Sequence, residues 1–305
     1  MAVDKVRVLV TGGAGFVGSH VAERLVARDD AVVVLDDLST GVAANVPRGA
    51  SLVHCDVSDA ADVRGALAGE HFDAVVHAAA EASVIGSIED PARSERVNVR
   101  GTANALDLAR RAGARRFVFF STGGSIYGET PECAVEDAPL RPISPYGQHK
   151  LVGEGLVRGA GLSYAILRPA NVYGPRQRGD LEGGVVAIFL QRYREGRELV
   201  VYGDGTAERD YVLAGDVAEC VLAAIDDARS DTWNVGTGVA TTVNDVLACL
   251  RRLLGEPAGG VHYAPARPGE LQRACVDPSK AARDGLWRAR HSFEDGLRAL
   301  LAAAV

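Results

Sequence analysis

The sequence predicts an α/β protein built on a doubly wound parallel sheet, with a smaller C-terminal α/β region added to it. Three observations predict this. In the first half, short runs that are apolar throughout alternate with longer amphipathic ones. Strands that are apolar on both faces must be covered on both faces, which is the parallel-sheet arrangement. The first strand runs straight into a glycine cluster that opens a helix. After Pro169 the pattern changes to frequent turns and short strands.

Taken in order, Val6–Val10 reads as a strand, Phe16–Ala27 as a helix, and Ala31–Leu35 and Leu52–His54 as strands. Asp59–Ala68 reads as a helix, Ala74–Ala78 as a strand, Pro91–Ala112 as one long helix and Phe117–Phe120 as a strand. Pro145–Gly159 is the next helix and Tyr164–Leu167 the next strand. Beyond Pro169 come turns at Gly174-Pro175, Gly183-Gly184, Gly203 to Gly205, Gly236 to Gly238 and Pro268-Gly269. Helices at Val185–Glu195, Asp216–Asp226, Val243–Leu254 and Phe293–Ala303 lie among them. The division this suggests is residues 1–172 for the first domain and 173–305 for a substrate-capping region, with some segments free to return to the first. No internal repeat is visible.

Composition bounds the function. The 305 residues are 47% hydrophobic, ample for a large core. The net charge is −7 with acids and bases interspersed, so nucleic acid is not an expected partner. Nowhere does an uncharged apolar stretch reach the ~18 residues of a membrane span. Five scattered cysteines form no C-x-x-C pair. Neither a disulfide framework nor a metal site is expected, and a soluble protein of the reducing cytoplasm is. His54 and His77, at strand ends, are expected to be packed structural groups.

The first chemical motif is Thr11-Gly12-Gly13-Ala14-Gly15-Phe16-Val17-Gly18. Glycines at such a turn admit positive φ and let a pyrophosphate reach the backbone. The following helix offers its free N–H groups and positive end to that anion. Gly12, Gly15, Phe16, Val17 and Gly18 are the candidates. The second strand ends at Asp36-Asp37, whose carboxylates suit an adenosine ribose and repel a 2′-phosphate, so NAD is expected over NADP. Asp56-Val57 follows the third strand. An Asp there could hold an adenine amino group or cap the next helix.

The second motif is Tyr146-Gly-Gln-His-Lys150, which puts a phenol and an ammonium one helical turn apart on one face. A phenol titrates near ~10, so acting as a base at neutral pH takes ~3 units of lowering, or ~4 kcal/mol of differential stabilisation. Lys150 and an oxidised nicotinamide are the cations expected to supply it. The motif follows the hydroxyl-rich turn Ser121-Thr122.

With these motifs the chain resembles the extended short-chain dehydrogenase/reductase family, in its nucleotide-sugar epimerase branch. The likeness runs through His77-Ala-Ala-Ala80, Gly86 to Pro91, Asn98-Val-Arg-Gly-Thr102, Tyr146/Lys150, Arg168-Pro-Ala-Asn171-Val-Tyr-Gly-Pro-Arg176-Gln177, Gly203 to Val212 and Arg267 to Glu270. It implies a Rossmann domain and a UDP-sugar 4-epimerase with tightly bound NAD, working through a transient 4-keto sugar. Tyr146 would be the base and Lys150 its electrostatic partner, which also holds the nicotinamide ribose. Thr122 would be the catalytic hydroxyl by register from Phe117–Phe120, although counting back from Tyr127 lands on Gly123. Ala78, Ala79, Ala80 and Asn98 would line the cofactor. Gly123, Gly124, Asn171, Val186, Arg209, Arg267 and Glu270 would meet the substrate.

Dehydratase and decarboxylase relatives place acidic residues where this chain has Gly123-Gly124, so those reactions are not expected. Arg178 or Arg192 could take a sugar C6 carboxylate bidentately, whereas Gly184 to Phe189 resembles bacterial UDP-glucose epimerases. UDP-glucuronate is therefore expected slightly ahead of UDP-glucose, with dual use possible. The rivals are an NAD(P)-linked keto-sugar reductase and a non-catalytic dinucleotide sensor. The resemblance also implies a homodimer through Pro91–Ala112 and Pro145–Gly159.

Overall fold

The computed structural model describes residues 5–180, 184–267 and 270–302. The turn readings at Gly183 and Pro268-Gly269, and the end of the last helix at Ala303, lie outside them. Among the described residues no helix is long and apolar enough to cross a membrane.

The first half alternates as its hydrophobic pattern requires. Strands β1 (Arg7–Thr11), β2 (Ala31–Asp36), β3 (Ala50–His54), β4 (Ala74–His77), β5 (Arg116–Phe120) and β6 (Ser163–Pro169) carry between them α1 (Phe16–Ala27), α2 (Ala60–Ala66), α3 (Val84–Glu89), α4 (Pro91–Glu95), α5 (Gly101–Arg111), α6 (Gly123–Ile126) and α7 (Pro145–Arg158). The second half supplies β7 (Asn171–Tyr173), α8 (Val185–Arg194), β8 (Leu199–Tyr202), β9 (Glu208–Leu213), α9 (Ala214–Asp226), β10 (Asp231–Val235) and β11 (Ala240–Thr242). It ends with α10 (Val243–Leu254), β12 (Val261–Ala264), β13 (Arg273–Ala274), α11 (Ser279–Arg283) and α12 (Phe293–Ala302).

The large sheet has seven strands in the order β10-β6-β5-β4-β1-β2-β3, all parallel. The order reverses direction between β1 and β4, the place at whose carboxyl strand ends such sheets bind their ligands. Val8, Leu9 and Val10 are fully buried, worth about 1.5–3 kcal/mol each. Their alternation feeds two cores. One face packs Val8, Val10, Val34 and Val118 on α1 and α9; the other packs Leu9, Val75, Phe117 and Phe119 on α5 and α7. Strand β10 comes from the second half yet pairs with β6, and its Trp233 is fully buried in the first core. A third core holds the smaller region, where α8, α10 and α12 pack on β7 to β9.

Four readings are corrected. The long helix from Pro91 contains a π-turn at Arg96–Arg100, which carries Asn98. His54 is exposed, unlike the buried His77. α3 and α6 were not foreseen. Cys133 and Cys275 form a disulfide across 142 residues of sequence, whereas Cys55, Cys220 and Cys249 are free and buried. The disulfide belongs to a wider seam. Ala134 donates to the Cys275 carbonyl (2.9 Å), Asp277 donates to the Ala134 carbonyl (2.8 Å), and the Glu129 carboxylate accepts from the Gln272 and Arg273 amides.

Candidate active site

The glycine turn sits at the carboxyl end of β1. Gly12 has φ +70°, and a Cβ there would lie 2.5 Å from the Ala79 nitrogen. At Gly18 a Cβ would lie 2.2 Å from the Gly12 carbonyl oxygen. No L side chain fits either place, so backbone lies bare there. α1 opens at Gly15 without a side-chain cap or an acid in its first turn, leaving its N–H dipoles for an anion. Asp36 stands beside this turn, accepting from the Ala14 amide (2.9 Å) and the Leu38 amide (2.9 Å). Burial raises its pKa, and these amide bonds oppose the rise. Asp37 turns to solvent and accepts from Ser39. Asp56 accepts from the Ser58 amide, and Val57 is buried against Gly101. Ala78 and Ala79 cross the glycine turn through the Thr11 carbonyl and hydroxyl, and Ala80 follows in the same segment.

His77 stands at the end of β4. Its ring lies between the hydroxyls of Thr11 (2.7 Å) and Thr102 (3.1 Å). Burial first, and the Lys150 charge second, push its pKa down to about 3, so it stays neutral. Asn98 donates to the Glu81 carbonyl and Ser94 hydroxyl, while its Oδ1 is buried without a partner among the described residues.

Tyr146 and Lys150 are brought to the end of β5. Ser144 caps α7 and Pro145 starts it, so the helix begins at once before Tyr146. The Tyr146 phenol lies beside the Thr122 side chain, the residue that register from β5 selects. Lys150 is buried, with Nζ donating to the Phe120 carbonyl (2.9 Å) and lying 5.1 Å from the Phe119 ring centre. Burial pushes its pKa down to about 7. The same burial pushes Tyr146 up to about 12, opposed by the Thr122 hydrogen bond. The expected lowering counts on an oxidised nicotinamide as well as on Lys150, and in the chain by itself burial sets the direction.

Gly123 is confined. A Cβ there would lie 2.6 Å from a Val276 methyl and 2.9 Å from the Arg168 carbonyl oxygen. An Asp of the dehydratase pattern has no room at this place. At Gly124 the nearest neighbour of a Cβ is the Asn171 side chain, at 3.6 Å. Asn171 Nδ2 is a second buried polar atom without a partner among the described residues.

On the second-half side, Arg209 and Glu270 come together (3.4 Å), and Arg267 stacks on Tyr202 at 3.9 Å. Three other candidates are occupied elsewhere. Arg178 forks onto Asp180 (3.0 and 2.6 Å), Arg192 donates to the Glu198 carbonyl, and Val186 is buried in the third core.

Sequence reasoning missed a buried polar network behind the catalytic turn. Glu154, fully buried on α7, accepts from Ser121 Oγ (2.6 Å), Arg168 Nε and Nη2 (2.8 Å each) and Arg158 (2.8 Å). Its spacing of four from Lys150 was the available signal.

A glycine turn at the switch point of a doubly wound sheet, with a Tyr/Lys pair whose lysine is buried, defines a dinucleotide-dependent enzyme of the short-chain dehydrogenase/reductase type. Residues 8–236 match the model of the NAD dependent epimerase/dehydratase family, and the chain belongs to it. It is 38% identical over 302 residues to the UDP-glucose 4-epimerase of Mycolicibacterium smegmatis, covering 95% of this chain and 96% of that one. The Thermus thermophilus UDP-glucose 4-epimerase, solved with NAD, superposes with a TM-score of 0.91 at 43% identity, covering 97% and 98% of the two chains. The Thermotoga maritima enzyme, solved with UDP-glucose, gives a TM-score of 0.93 at 38% identity and covers 97% of each.

Proposed function

We propose that this protein is an NAD-dependent UDP-sugar 4-epimerase, with UDP-glucose and UDP-galactose as its first substrate pair. The observation that carries the reading is the placing of Tyr146 beside Thr122 with Lys150 one turn further along α7, buried and donating to the Phe120 carbonyl (2.9 Å). The residues fit NAD. Gly12, Gly15 and Gly18, with Phe16 and Val17 at the uncapped start of α1, would hold the pyrophosphate. Asp36 and Asp37 would hold the adenosine ribose, Asp56 and Val57 the adenine, and Ala78 to Ala80 with Asn98 the nicotinamide side. When bound, NAD would take up and return the hydride at sugar C4.

The chain's part is proton handling and orientation. Tyr146 would take the proton of the 4-hydroxyl and give it back. Its phenol, raised to about 12 by burial, needs positive charge nearby, which Lys150 and an oxidised nicotinamide would provide. Thr122 would hold the reacting oxygen. Asn171, Gly123 and Gly124 would border the sugar, and Arg209, Arg267 and Glu270 the nucleotide. Gly123-Gly124 can neither donate nor accept a side-chain proton, which supports epimerisation over dehydration.

The glucose reading rests on the relatives and on the engagement of both arginines expected to meet a uronate. UDP-glucuronate is the second substrate to test, because the Arg178–Asp180 pair is exposed and able to exchange partners. Incubating the protein separately with each UDP-sugar and assigning C4 by NMR decides between them. Inversion without added NADH separates an epimerase from a reductase; no inversion of either sugar overturns the proposal.

We also propose a homodimer through α4–α5 and α7, where Val152 of α7 is exposed, as are Val84 and Ile88 on the preceding helix α3. Sedimentation of an Ile88→Lys variant as a monomer would support it. A cytoplasmic location would have to accommodate the Cys133–Cys275 disulfide, which reducing compartments disfavour.

A further inference from the structure

Residues Tyr146, Lys150 and Glu154 stand at successive spacings of four on one face of α7. Each holds one residue at the end of β5. Tyr146 lies beside Thr122, Lys150 donates to the Phe120 carbonyl (2.9 Å) and Glu154 accepts from the Ser121 hydroxyl (2.6 Å). The first two contacts belong to the mechanism above; the third does not.

The Glu154 carboxylate is fully buried. Burying an ion pair is costly, and an apolar replacement is often as stable, so the pair is poor evidence of a purely stabilising device. Its geometry suggests another task. Arg168 grips Glu154 through two nitrogens and uses its third, Nη1, on the Tyr127 hydroxyl (2.8 Å) and the Glu136 carbonyl (2.9 Å). The Tyr127 hydroxyl donates in turn to Asn234 Oδ1 on β10 (2.7 Å). The network thus brackets the segment 121–127 at both ends. Inside that segment, Thr122 is followed by Gly123-Gly124, the residues with the greatest backbone freedom. A reactive hydroxyl placed next to two glycines needs an external anchor to keep its direction.

We infer that Glu154 and Ser121 are positioning residues, which clamp the Ser121-Thr122 turn onto α7 so that Thr122 keeps its hydroxyl on Tyr146. This rests on the epimerase reading for its kinetic consequence, but not for its structural one.

The test is Ser121→Ala, with Glu154→Gln as a second variant that keeps volume and an acceptor oxygen. With UDP-glucose, kcat is expected to fall about tenfold in Ser121→Ala while KM stays within twofold, a loss typical of misplaced catalytic geometry. The acid limb of the kcat profile should move to higher pH, because the bond that favours the phenolate is loosened. In a Thr122→Ala background the Ser121→Ala change should cost nothing further, since it acts through Thr122. A structural role would give additive losses, and that result overturns the inference. Independently of turnover, 13C labelling at tyrosine Cζ should show the Tyr146 resonance, assigned with Tyr146→Phe, shifted in both variants. An unmoved resonance together with kcat within twofold of wild type also overturns it. If the unaltered protein epimerises nothing while the resonance moves as expected, the epimerase reading fails and the clamp stands.

Discussion

The two halves of the molecule build their parts of the site by different means. The glycine-turn half is rigid by packing. Backbone meets backbone at distances that exclude any Cβ, and His77 is buried and paired between two hydroxyls. The second half is held by contacts that water can reach. The Arg209–Glu270 pair is 16% and 39% exposed, and Arg267 lies on a half-exposed Tyr202. Where the first half needs no cross-link, the second is fastened through Cys133–Cys275 and the Glu129 seam. A constant cofactor can be met by a fixed surface. A sugar that must turn over within the site is better met by groups that can shift.

The comparison can be sharpened by four measurements. The largest effect belongs to the fastening. Opening a closed loop of 142 residues should cost up to about 5 kcal/mol in the chain-entropy account. Dithiothreitol, or Cys133→Ser with Cys275→Ser, should lower Tm sharply, and an unchanged Tm would mean the seam holds without sulfur. Next is the buried histidine. Between pH 6.5 and about 3 the unfolded chain binds a proton that folded His77 refuses. Stability should therefore fall as pH drops through that window, by up to about 5 kcal/mol. His77→Asn should flatten the slope of urea midpoint against pH; an unchanged slope would place the acid sensitivity elsewhere.

Third, Tyr146→Phe should lower kcat about 10³-fold while NAD remains bound, as read by absorbance of the released dinucleotide. Retained turnover would remove Tyr146 from the mechanism. The smallest effect is expected at the wet side. Arg209→Ala should raise KM for UDP-glucose about tenfold, the order of one lost charge-assisted contact, with kcat nearly unchanged.

The same contrast governs what the sequence discloses. In the first half the signals are local, since strand periodicity, the glycine spacing and Tyr146/Lys150 all lie within a few turns of chain. α1 and α10 have the very limits their patterns predict. In the second half the determinants are distant. Cys133 finds Cys275 only through the fold, and an odd number of scattered cysteines gives no hint of it. Arg178 and Arg192 satisfy a motif by spacing, yet their partners are decided by loop geometry. Glu154 lay between these cases: its face was legible, but its partners Ser121 and Arg168 come from β5 and β6.

One topological detail limits how the chain can be divided. Because β10 completes the large sheet against β6, a fragment ending near residue 172 would leave β6 as a bare rim, the N–H and C=O groups on its outer side unpaired, and would expose the hollow that Trp233 fills. Such a truncated piece is expected to associate through that rim and precipitate. Co-expression with a separate chain spanning residues 173–305 should rescue its solubility.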